Sequence, residues 1–140
     1  MGDIYLCSRT EVLRAIYLDT GRSIGIIGAP EEFLEWIEKL LPMDSVVASE
    51  AASLKGSELD VVIGWFGDHV PESGDIEELR SGLKEDGDLW VIVPIYAADN
   101  IYDMLSMPDP SPSGELKLTL TRGHILLPLI IGHRKSRRLD

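Results

Sequence analysis

The chain has 140 residues, 44% of them hydrophobic, and one cysteine, Cys7. A domain of that length buries roughly 68–70% of the surface its unfolded chain exposes, so it folds without a disulfide framework or a structural metal. The net charge is −11, but segment 134–140 carries +3 and leaves −14 on the rest; a body that acidic repels phosphate backbones and excludes DNA binding by its surface.

The first predicted element is a helix from Ser8 to Thr20, with Val12, Leu13, Ile16 and Tyr17 on one face and Gly21 at its end. Ser23 to Gly28 is rich in isoleucine, as a strand buried on both faces should be. Pro30 then suits the start of a helix whose apolar stripe is Phe33, Leu34, Ile37, Leu40 and Leu41, with Pro42 at its end. Ser45 to Ser49 and Leu59 to Trp65 read as two further strands. Asp75 and Glu78 have the spacing of a capping box, which predicts a helix with Ile76, Leu79 and Leu83 inward and Gly87 as its stop. Leu89 to Pro94 is a strand and Ala98 to Leu105 a short helix. After the loop Met107 to Gly114, Leu116 to Thr121 and Ile125 to Ile131 form an antiparallel hairpin turning at Arg122-Gly123. Pro128 has no N–H, so the last strand carries a bulge or lies at an edge.

Strands alternating with helices, then a hairpin, define an α/β class: a Rossmann-like three-layer sandwich on a mostly parallel sheet of about six strands. One domain over 1–133 and a basic, mobile tail over 134–140 are expected. The longest apolar run, Ile125 to Ile131, is too short to span a bilayer. The start of the chain is acidic and lacks the basic n-region of a secretory signal, so a cytoplasmic location without membrane contact is expected.

This order of parts resembles a truncated Rossmann-like, S-adenosylmethionine-dependent methyltransferase. "ELDVVIGWFGDHV", Glu58 to Val70, resembles that fold's fourth strand. "LRSGLKEDGDLWVIVP", Leu79 to Pro94, resembles its next helix, turn and strand, and "LKLTLTRGHILLPLIIG" its closing antiparallel pair. Ala29-Pro30, Leu41-Pro42 and Asp86 to Pro94 are similar to a family of small domains of unknown function built on that shortened fold. Ile95 stands where that family usually has lysine, and the final hairpin lacks the family's usual tryptophan.

A phosphate cradle needs glycines that let backbone amides approach an anion at a helix start. Gly28-Ala29-Pro30-Glu31-Glu32 has one glycine, a proline without a donor, and two carboxylates where the anion would sit. The acids are accounted for by the helix dipole, about 0.3–1 kcal/mol each when exposed. NAD is not expected here. The resemblance implies that S-adenosylmethionine would lie against Gly28, with Glu50 at its ribose. The "AASLKGS" link after Glu50 is too short for the strand that normally helps hold the adenine.

Ligands of open α/β sheets sit beyond the carboxyl ends of the parallel strands. The candidate cleft there is Gly28, Glu50, Trp65, Phe66 and Asp68; the aromatics offer stacking surface, and Asp68 beside His69 offers an acid–base pair. His69, His124 and His133 lack metal-ligand spacing, so no metal is expected; His124 reads as a turn residue. With no catalytic constellation, the expectation is a non-catalytic interaction or regulatory module, with no cofactor and with a protein partner or a second copy recruited through the apolar Ile125 to Ile131 segment. The alternative is a small S-adenosylmethionine-dependent methyltransferase with an atypical cofactor loop.

Overall fold

The computed structural model describes residues 5–16, 23–37, 45–48, 50–114 and 116–132. Basic tail residues 134–140, Tyr17, Leu40, Leu41, Pro42 and His133 lie outside them. In chain order the elements are α1 (Arg9–Ala15), β1 (Ile24–Ile27), α2 (Glu31–Ile37), β2 (Val46–Ala48), β3 (Leu59–Trp65), α3 (Ser73–Arg80), β4 (Leu83–Pro94), α4 (Ile101–Leu105), β5 (Leu118–Thr119) and β6 (His124–Ile131). Single 3-10 turns stand at Ala51–Leu54 and Ile95–Ala97.

The six strands form one sheet in the order β2-β1-β3-β4-β6-β5. The first four pair in parallel, and β6 runs antiparallel to both β4 and β5. Alternation along each strand sorts the apolar residues into two cores. Ile24, Ile26, Val61, Ile63, Trp90 and Ile92 face one side with Val12, Ile16, Phe33 and Ile37 of the α1 and α2 region. Val62, Leu89, Val91, Val93, Leu127 and Leu129 face the other, against Ile76 and Leu79 of α3 and Ile101, Tyr102 and Leu105 of α4. This is the three-layer α/β sandwich that the alternation of elements predicts. No helix of the described residues is long and apolar enough to cross a membrane.

Several local details differ from the sequence reading. Helix α1 is capped as a box at Ser8, whose hydroxyl accepts from Glu11 N–H at 3.1 Å while Glu11 accepts from Ser8 N–H at 2.9 Å. In α3 the cap is Glu72, not Asp75: the Asp75 carboxylate reaches back to accept from Glu72 N–H at 2.9 Å, so Asp75 lies three residues inside the helix. Leu83 and Gly87 belong to β4, not to α3. Leu83 pairs with Leu59 and Asp88 with Val61, so a long bulge on β4 absorbs residues 84–87. Strand β5 is reduced to Leu118–Thr119.

Strand β6 lies inside the sheet rather than at its edge, and it accommodates Pro128 by a bulge. Leu89 pairs with Ile130 but Trp90 with Pro128, leaving Leu129 as the extra residue. The Tyr102 hydroxyl on α4 donates to the Pro128 carbonyl at 2.7 Å, and burial, with Asp109 adding to it, pushes that phenol well above its ordinary range. The apolar stretch expected to recruit a second copy is therefore mostly interior, with Leu126, Leu127 and Leu129 buried.

At the amino ends of the strands, Asp60 joins β3 to β1. Its carboxylate accepts from Ser23 N–H at 2.8 Å and from Lys84 Nζ at 2.9 Å. Burial raises its pKa, but the Lys84 hydrogen bond and charge, with the Ser23 donors, outweigh that and hold the carboxyl below the usual carboxylate range. A depressed folded-state pKa gives stability that is present above the unfolded value and is lost as pH falls through the folded one. Below about pH 4 the wild-type chain is therefore expected to lose stability that Asp60→Asn has already lost. Urea midpoints of the two proteins should converge on acidification; a constant gap down to pH 2 would contradict the assignment.

Candidate functional site

The turn leaving β1 and the loop leaving β3 meet at the carboxyl ends of the parallel strands. Gly28 has φ +73°, a left-handed conformation that L side chains rarely adopt, and a Cβ on it would lie 3.5 Å from the Trp65 carbonyl. Pro30 gives its carbonyl to the first turn of α2, accepting from Phe33 and Leu34 N–H at 3.1 and 3.2 Å. It thereby aims Glu31 and Glu32 outward and Phe33 into the core.

Above these ends is an open cleft of about 480 Å³. It is lined by Gly28, Pro30 and Glu32 from the β1–α2 turn, by Trp65, Gly67, Asp68 and His69 from the end of β3 and the loop after it, and by Tyr5, Thr121 and His124. Four of the chain's nine aromatic residues collect here. Tyr5 stacks on Trp36 with ring centroids 4.0 Å apart and planes 5° apart, and Phe33 lies 5.1 Å from Trp65. Trp65 in turn lies 5.4 Å from the His124 ring. Gly67 permits this packing, since a Cβ there would stand 2.6 Å from the Trp65 indole nitrogen.

His124 fastens the turn between β5 and β6 to the loop after β3. Its Nε2 lies 2.8 Å from the Gly67 carbonyl, which can only accept, so Nε2 carries the proton. Its Nδ1 lies 3.1 Å from Thr121 Oγ1, which already accepts from the N–H groups of Gly123 and His124. In the neutral imidazole the threonine hydroxyl therefore donates to Nδ1, and both ring nitrogens are engaged. At the rim, Asp68 Oδ1 lies 2.8 Å from His69 Nδ1, and the hydrogen bond and charge of His69 hold the Asp68 carboxyl below its ordinary range. With side chains 95% and 63% exposed, that pair is solvated.

Of the residues marked from sequence, Gly28, Trp65 and Asp68 line this cleft. Phe66 does not; it is 9% exposed and packs into the opposite core with Ile76 and Val93. Glu50 is exposed beside the 3-10 turn that follows β2 and is not among the lining residues. His124, read from sequence as a turn residue, lines the cleft because antiparallel pairing sets it opposite Pro94 at the carboxyl end of β4. Tyr5 had no sequence signal. No group of three or more metal-ligating side chains occurs among the described residues. Cys7 is half-buried, and burial, with Glu11 adding to it, pushes its thiol up to about 11, so it is no nucleophile at neutral pH.

Solved structures share this fold. A SAM-dependent methyltransferase from Aquifex aeolicus superposes with a TM-score of 0.60 at 14% identity, over 86% of this chain and 87% of that one. The fold is methyltransferase-like. A SAM-dependent O-methyltransferase from Thermotoga maritima is similar at a TM-score of 0.53 and 12% identity, over 94% of this chain and 68% of that one. No family model matches the chain, and no curated protein matches it by sequence.

In this methyltransferase-like fold, the described residues between β2 and β3 hold a 3-10 turn and no strand, which is where it is truncated. S-adenosylmethionine, the group such a fold implies, meets a turn with a single glycine, a proline without an N–H, and a Glu50 that stands outside the cleft. These residues do not supply its ribose and adenine contacts, and no methyl-transfer step follows from them.

Proposed function

We propose that this chain is a non-catalytic methyltransferase-like scaffold, an interaction or regulatory module of the cytoplasm. The observation that supports this reading is the pair of replacements at the cofactor end of the sheet. Gly28-Ala29-Pro30 stands in place of a glycine loop, and a 3-10 turn in place of the strand between β2 and β3. The partner is a protein, a second copy of the chain included, because a surface this acidic disfavours nucleic acid.

The open cleft favours a second reading, a small S-adenosylmethionine-dependent methyltransferase with an atypical loop, in which Gly28 and Trp65 would face the cofactor. Thermal unfolding with S-adenosylmethionine, its demethylated product and NAD separates the two. A ligand at a hundredfold over its dissociation constant adds about 2.7 kcal/mol, on the order of 5–10 °C for a domain of this size. The scaffold predicts no shift with any of the three at millimolar concentration. A shift with the methyl donor or its product, but not with NAD, would replace it by the enzyme.

A further inference from the structure

We propose that the cleft binds a small organic cation, an ammonium compound whose apolar part lies against Trp65 and Pro30. The charge balance of the lining carries this. No lysine or arginine is among the described residues that line the cleft. Of its two imidazoles, His124 gives its Nε2–H to Gly67, and His69 turns its Nδ1 to Asp68. Pro30 has no N–H, so the turn entering α2 offers an anion one amide fewer.

What faces the space is negative and aromatic. Glu32 is exposed, forms no salt bridge among the described residues and lines the cleft, and the solvent-exposed side chain of Asp68 lines it too. Trp65 and Tyr5 line the same cleft, and aromatic rings attract a cation most strongly when water is partly excluded. A phosphate or carboxylate brought here would meet two carboxylates and no lysine or arginine of the described lining; a cation would meet two carboxylates and two aromatic rings.

The scaffold reading holds whether or not the cleft takes a ligand, so the two fail separately. The test uses the full chain, labelled for amide and indole NMR and titrated with choline, with its neutral isostere 3,3-dimethyl-1-butanol, and with phosphocholine. Saturable shifts of the Trp65 indole N–H and the Gly28 and Gly67 amides are expected with choline. The neutral isostere should bind about tenfold more weakly, and phosphocholine should also lose affinity. Glu32→Gln, a surface change that leaves the rest of the spectrum in place, should weaken choline several-fold. Equal binding of the neutral isostere, choline shifts that avoid Trp65 and Gly28, or an unchanged affinity in Glu32→Gln would each overturn the proposal.

Discussion

Trp90→Ala is expected to cost about 3–5 kcal/mol, a large part of the roughly 5–15 kcal/mol that holds a domain folded. Trp90 is fully buried on β4, between β3 and β6, and is the largest fully buried side chain among the described residues. Removing it opens a cavity beside Ile63, Ile92 and Leu126 that a rigid sheet cannot close. Trp90→Phe behaves differently. The indole N–H has no hydrogen-bond partner among the described residues, and a buried, unsatisfied donor costs about 1–3 kcal/mol. Phenylalanine removes that cost while giving up part of the packing, so the net loss is expected to be about 1 kcal/mol. Urea unfolding of both variants checks the pair; a Trp90→Phe loss as large as that of alanine would mean that the indole nitrogen is satisfied.

Phe33→Ala is expected to cost a similar amount, about 3–5 kcal/mol, and to act on the cleft as well. Phe33 is fully buried on α2 and contacts the rings of Tyr5, Trp36 and Trp65. Without it Trp65 loses the contact on its core side, and the cleft loses the ring spacing set by that aromatic row. Phe33→Leu keeps much of the volume and should cost less in stability, yet it removes the ring contact equally. Equilibrium unfolding reports the first effect and the environment of the Trp65 indole N–H the second. A Phe33→Leu protein with an unaltered Trp65 resonance would show that the wall does not depend on Phe33.

The layered sheet was legible because its signals are short-range. The isoleucines of β1 and the continuous apolar run of β3 announce strands with no solvent face, and β3 has the predicted limits, Leu59 to Trp65. Capping was legible in type but not in register, because Glu72 and Asp75 are the same three residues apart as Asp75 and Glu78. The extent of β4 was hidden because the charged residues 84–87 resemble a turn and are carried by a bulge whose cause lies in β3. Phe66 and Trp65 are neighbours in sequence, and strand alternation sends them to opposite cores. The cleft's far side depends on pairing across long separations, which is why Thr121 and His124 carried no local sign of their position.

The hydrogen bond from His124 to Gly67 spans 57 positions of sequence. Contacts of that separation form only after the intervening chain has paid its loop-closure entropy. The β3 loop therefore gains its bond to His124 only when β6 has docked on β4, however early β1 and β3 have paired. In a chain emerging from the ribosome the cleft comes into being with the last strand, so any molecule that occupies it distinguishes a finished sheet from a partial one.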